Sequence, residues 1–134
     1  MIGTPYYLSP EIIQGKPYNG KTDIWSLGAV LYELCALKPP FDAKNIKELG
    51  SRIVKGQYTP LPSKFSKEMN GLIAMLMQVD ANKRPSIAQI LGMEFVKQKI
   101  NNFLSKTIKL QEFSHTILHN QILVKKHEDL ESLK

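Results

Sequence analysis

The chain has 134 residues, 43% of them hydrophobic and 22% charged, with a net charge of +6. That is room for one compact domain and a tail, and the balance excludes a disordered or membrane-embedded chain. Charge-free stretches, such as residues 24–32, are far too short to cross a bilayer.

The basic charge does not point to nucleic acid. Residues 1–95 carry 11 basic and 8 acidic side chains, and residues 96–134 carry 7 and 4, so each part is net +3. No basic stripe interleaved with aromatic residues and no DNA-binding helix signature accompanies this charge, which reads as a solvated, lysine-rich surface. A single cysteine, Cys35, excludes an internal disulfide and a multi-cysteine metal cluster. It reads as a buried helix residue in a reducing, intracellular protein. The start Met1-Ile2-Gly3-Thr4-Pro5 shows no signal-peptide core.

Two prolines, Pro5 and Pro10, make residues 3–11 an extended loop that ends in a short helix at 10–13. Pro10 suits a first helical position, where its missing N–H has no partner to lose. Gly15, Pro17 and Gly20 then break the chain before a helix predicted over 22–37, with Thr22 or Asp23 as its cap. That helix is apolar around most of its circumference, the pattern of a helix through the centre of a domain. Pro39-Pro40 ends it and Phe41 supplies an apolar anchor.

Residues 45–55 form a shorter amphipathic helix with Ile46, Leu49, Ile53 and Val54 at helical spacing. After Gly56, Pro60 and Pro62, Ser66 caps a helix predicted over 66–78. Its apolar face holds Met69, Leu72, Ile73, Met75, Leu76 and Met77, methionines that fill core gaps. Another helix starts near Ser86, with Ile87, Ile90 and Leu91 apolar. In the tail, residues 98–134, Leu104, Ile108, Leu118, Ile122 and Leu123 give an amphipathic pattern without a sustained heptad. His115, His119 and His127 lack the neighbouring ligands a metal site needs.

The punctuation between these helices carries more information than the helices. Gly3-Thr4-Pro5-Tyr6-Tyr7-Leu8-Ser9-Pro10-Glu11 resembles the end of the protein kinase activation segment, whose signature is A-P-E. Asp23-Ile24-Trp25-Ser26-Leu27-Gly28 resembles the start of the central helix of the kinase C-terminal lobe. Pro39-Pro40-Phe41 resembles the loop after it, and Asn82-Lys83-Arg84-Pro85-Ser86 the late arginine motif. Four motifs in this order, over residues 3–97, identify the chain as similar to a eukaryotic serine/threonine protein kinase; Thr4 marks the serine/threonine class. Tyr6-Tyr7 with Ser9 is most like the NIMA-related (NEK) kinases.

The resemblance implies a mainly α fold, the helical C-terminal lobe of the kinase fold in truncated form: a partial kinase domain over residues 1–97, then a tail or linker with helical character. It implies that Glu11 pairs with Arg84 in a buried ion pair, a bidentate geometry for which arginine is suited. Breaking such a pair leaves a stranded charge at a cost of about 3–5 kcal/mol. It implies that Asp23 receives backbone hydrogen bonds from the catalytic loop, leaving it without that partner here; Trp25 reads equally as a plain core residue or as one with a more specific structural role. Thr4 would support the catalytic aspartate and lysine, while Gly3, Pro5 and Tyr7 would shape the substrate pocket.

Kinase phosphoryl transfer needs a glycine-rich loop and lysine for ATP, D-F-G and asparagine for magnesium, and H-R-D for the hydroxyl nucleophile. This sequence holds no Gly-x-Gly, H-R-D or D-F-G. ATP and Mg2+ are therefore cofactors expected of a full-length kinase, with none expected for this chain, no catalytic residue in it, and no activity of its own. Implied partners are protein substrates and a homodimer through the tail, with no nucleic acid and no membrane. The implied setting is the cytoplasm, with cytoskeletal or nuclear placement also open. A kinase known through its C-terminal lobe and a non-catalytic kinase-like binding module are the two competing functions. In either, helices that would face the catalytic loop are expected to expose apolar surface.

Overall fold

The computed structural model describes residues 5–108. Before residue 93 lie five α-helices, α1 Pro10–Ile13, α2 Gly20–Ala36, α3 Ile46–Lys55, α4 Lys67–Leu76 and α5 Ile87–Gly92, with a 3-10 turn at Ala81–Lys83. No strand occurs among the described residues. The chain divides into two units, Met1–Leu91 and Gly92–Lys134.

Each helix of the first unit starts and stops for a local reason. Pro10 opens α1 at its first turn. The cap of α2 is Asn19, not Thr22 or Asp23, so this helix begins two residues earlier than the sequence pattern predicts. The Asn19 side chain accepts from the Lys21 amide at 2.8 Å, and Thr22 Oγ1 accepts from the Asn19 amide at 3.2 Å. This reciprocal box satisfies two backbone donors that would otherwise face solvent. Asn45 caps α3 through the Glu48 amide, and Ser66 caps α4 through the Met69 amide. Gly56, at φ 63, ends α3 in the left-handed conformation that glycine adopts without penalty.

The core lies between α2, α3, α4 and the intervening loops. Trp25, Ala29, Tyr32, Phe41, Leu49, Ile53, Leu61, Ile73 and Met77 form one buried cluster. Trp25 stacks on Phe41 with centroids 5.8 Å apart, and Tyr58 meets Phe41 and Tyr32 edge-on at 5.9 and 5.6 Å. Such geometries add about 0.5–1.5 kcal/mol beyond the area they bury. Tyr32 donates its hydroxyl to the Thr59 carbonyl at 2.7 Å, so its polar end is satisfied inside the cluster. Helices α2 and α4 cross closely at Gly28, where a Cβ would come within 2.8 Å of both Leu76 Cβ and Met77 Cγ.

The prediction that α2 runs through a fully buried centre is corrected. Its inner face, Ile24, Trp25, Gly28, Ala29 and Tyr32, is buried, but Leu27, Val30, Leu34 and Leu37 stand exposed along the opposite side. The apolar pattern marks both faces of the helix, and only one of them has a partner among the described residues. Cys35 is half-buried against the core rather than fully buried. On α3, Leu49 and Ile53 are buried, whereas Ile46 is exposed and Val54 half-covered. On α4, Met75 points out; on α5 only Ile90 is buried, leaving Ile87 and Leu91 exposed.

In the second unit, residues 94–108 are helical and display Ile100, Phe103, Leu104 and Ile108 to solvent. The predicted tail positions Leu118, Ile122 and Leu123 lie outside the described residues, as do the three histidines.

Candidate functional site

The most polar buried point of the first unit gathers residues from four separated stretches. Arg84 leaves the 3-10 turn with its side chain fully buried. A guanidinium has five N–H donors and no acceptor, so burial requires five acceptors around one plane. The structure supplies them. Nη1 donates to Glu11 Oε1 at 2.7 Å and to the Lys21 carbonyl at 2.7 Å. Nη2 donates to Glu11 Oε2 at 2.8 Å and to the Val79 carbonyl at 3.2 Å, and Nε donates to the Gln78 carbonyl at 2.7 Å. The plane also lies 5.1 Å from the Trp25 ring centroid, a cation–π contact in a desolvated setting.

Glu11, on α1, is nearly as buried, and Thr22 Oγ1 donates to its Oε1 at 3.1 Å. Burial alone would raise the Glu11 carboxyl; the hydrogen bonds from Arg84 and Thr22 and the guanidinium charge overcome it and hold the group down at about 2. The pair is thus ionised, bidentate and enclosed. Lys21 reciprocates by donating its Nζ to the Arg84 carbonyl. The N-terminal turn of α2 therefore contacts Arg84 from both main chain and side chain.

This anchor fixes the loop that precedes α1. Ser9 and Pro10 are buried, and Tyr6 packs against the core. The Leu8 amide donates to the Pro5 carbonyl at 3.4 Å, closing a turn. Ser26 Oγ, on α2, donates to the Tyr7 carbonyl at 3.2 Å, while the Tyr7 hydroxyl donates to Glu33 Oε2. The hydrogen bond to Glu33 holds the Tyr7 phenol above its ordinary range. Residues 5–9 thus rest against one side of α2, tied to it through the carbonyl and the hydroxyl of Tyr7. Among the described residues, Ser9 Oγ and Trp25 Nε1 are buried without a hydrogen-bond partner.

Of the residues singled out in the sequence, Glu11, Arg84 and Trp25 come together at this point, with Pro5 and Tyr7 on the loop that it secures. Gly3 and Thr4 lie outside the described residues. Asp23 is exposed and accepts from the Tyr18 hydroxyl, so the expectation that it lacks a partner is corrected. Sequence reasoning missed Lys21, Thr22 and Glu33 as contributors. Thr22 carried a signal, as a helix-start hydroxyl residue; Lys21 and Glu33 carried none, because their contacts span 63 and 26 positions. Among the described residues, no three His, Cys, Asp or Glu side chains gather as they would around a metal ion, and no helix is long and apolar enough to cross a membrane.

Comparison with known proteins places this geometry. The protein kinase domain family matches residues 1–96. The chain belongs to the protein kinase family. Its helical unit is the C-terminal lobe of that fold, and its relatives are NIMA-related serine/threonine kinases. The chain is 50% identical over 117 residues to serine/threonine-protein kinase Nek5 of Homo sapiens, an overlap of 87% of this chain and 16% of that protein. It is 46% identical over 112 residues to serine/threonine-protein kinase Nek1 of Mus musculus, 84% of this chain and 9% of the relative. The G2-specific protein kinase nim-1 of Neurospora crassa is 39% identical over 132 residues, 98% of this chain and 15% of the relative. The chain thus spans less than a fifth of the length of these three proteins.

Proposed function

We propose that this chain is the substrate-side portion of a serine/threonine kinase that transfers the γ-phosphoryl group of ATP to protein hydroxyls, and that phosphoryl transfer itself requires segments this sequence does not contain. The observation that carries the reading is the enclosed Glu11–Arg84 pair, which secures the loop bearing Pro5 and Tyr7 against α2. A substrate residue docked beside a fixed loop enters the reaction already oriented, and orientation is a large part of kinase catalysis. In this reading Gly3, Thr4, Pro5 and Tyr7 form the substrate-facing strip, Thr4 supports the catalytic aspartate and lysine, and Asp23 steadies the catalytic loop. In this reading ATP and Mg2+ are held by the glycine-rich loop, lysine, D-F-G and catalytic-loop asparagine of the catalytic segments.

The exposed Ile100, Phe103, Leu104 and Ile108 support self-association through the second unit. Light scattering on Phe103→Glu, compared with the parent chain, tests this; identical masses would remove it.

The functional reading is tested with two proteins. The 134-residue chain, incubated with radiolabelled Mg-ATP and casein, is expected to give no transfer above background. A chimera carrying the preceding catalytic segments of a NEK relative, joined in frame before Gly3, is expected to phosphorylate serine and threonine and to lose that activity in Thr4→Ala. Transfer by the chain alone overturns the division of labour. A folded chimera without activity overturns the kinase reading in favour of a kinase-like binding module.

A further inference from the structure

The amphipathic face of α3 is only half used by the core. Leu49 and Ile53 turn inward, while Ile46, Gly50 and Val54 line a groove of about 380 Å³ shared with Ile13 of α1. Gly50 makes the groove a notch: a Cβ there would stand 3.3 Å from Ile13 Cγ2, in the space now open. The volume falls in the range of sites that enclose a small ligand or one anchoring side chain.

The charge around this notch is of one sign. The charged side chains lining it are Lys47 and Lys55, both exposed, and no carboxylate lines it among the described residues. Among the described residues neither lysine is in an ion pair; the nearby Glu48 is engaged by Arg52 at 2.7 Å. Eight positions apart on α3, the two lysines sit about 12 Å from one another along the helix axis. An extended peptide rises about 3.3 Å per residue and turns alternate side chains to one face. Residues at i, i+2 and i+4 therefore cover about 13 Å of that face, the separation of the two lysines.

We propose that the groove between α1 and α3 is a docking site for an extended peptide of a partner protein with the pattern acidic-x-apolar-x-acidic. The apolar side chain enters the notch over Gly50 against Ile13, Ile46 and Val54, and the two carboxylates meet Lys47 and Lys55. Complementary rim charge speeds encounter and fixes register, while the apolar anchor supplies most of the affinity. The site is separate from the Pro5–Tyr7 loop and does not depend on phosphoryl transfer.

The probe is a fluorescein-labelled, end-capped peptide Asp-Ser-Leu-Ser-Asp, titrated by anisotropy at low salt into the 134-residue chain, with amide shifts followed by NMR. Expected are saturable sub-millimolar binding and shifts centred on Ile13, Gly50 and Val54. The variant Lys47→Glu with Lys55→Glu, both at exposed positions, is expected to weaken binding by about tenfold or more. Replacing the peptide leucine by alanine is expected to weaken it comparably. Equal binding by the charge-reversed chain, equal binding of the alanine peptide, or shifts centred elsewhere would each overturn the proposal. So would concentration-dependent shifts at the same amides without peptide, which would assign the groove to a second copy of the chain.

Discussion

Glu11 and Arg84, 73 positions apart in sequence, meet through two parallel hydrogen bonds of 2.7 and 2.8 Å. Around them the guanidinium finds three main-chain carbonyls, so every donor on the side chain is occupied. Burying a charge costs several kcal/mol, and only this degree of compensation makes the arrangement tenable.

Removing one partner therefore strands the other. Glu11→Ala and Arg84→Ala are each expected to destabilise the chain by about 3–5 kcal/mol in urea unfolding. The double variant is expected to cost far less than the sum, because the same interaction is lost only once. Strict additivity in the cycle would show that the two residues are not coupled.

The same pair sets an acid limit. Glu11 is lowered from its ordinary 4.5 to about 2 in the folded chain. A carboxyl with a depressed folded value contributes stability that is complete above pH 4.5 and is lost as pH falls through about 2. The contribution is about 3 kcal/mol. Unfolding free energy measured from pH 6 down to pH 2 should fall along this course in the parent chain. In Glu11→Gln it should start lower and fall less steeply over the same window.

Two glycines on helices should respond in opposite directions to one substitution. Gly28 has no room for a Cβ against Leu76 and Met77, whereas Gly71, exposed on α4, has nothing within 4 Å. Gly28→Ala is expected to destabilise by about 1–2 kcal/mol, overpacking outweighing the helix preference for alanine. Gly71→Ala is expected to stabilise by up to about 1 kcal/mol. Thermal unfolding of both variants decides it; equal shifts would mean the α2–α4 crossing is not tight.

Leu37 ends α2 at φ 58 with its side chain almost wholly exposed. A leucine in the left-handed region bears a penalty that glycine avoids, and here no burial is lost by the change. Leu37→Gly is expected to gain about 1 kcal/mol, net of the extra freedom of the unfolded chain. A loss in Tm would show that the leucine has a contact that offsets its backbone strain.

Much of this architecture was legible in the residues themselves. Pro10, Pro39-Pro40 and Gly56 bound the helices, and Ser66 caps α4 as its chemistry requires. The Glu11–Arg84 pair was reachable only through motif order, since nothing local ties residue 11 to residue 84. The α2 cap was misjudged because Asn19 lies before Gly20, a residue that reads as loop but serves as the first helical position. Apolar periodicity also overstated the core. It records every surface that a helix can bury, so Leu34 and Val30 on α2 and Ile46 on α3 looked like interior residues but are exposed. The Tyr7–Glu33 contact left no trace in sequence, because its geometry depends on how the loop lies across α2.

The chain has one tryptophan, and its ring lies fully buried between Phe41 and the Arg84 guanidinium. Its emission consequently senses the environment of the ion pair without any introduced label. Loosening of the loop that carries Tyr7 and unfolding of the helical unit can then be told apart optically. The first would leave Trp25 stacked and its emission blue; the second would release it into water.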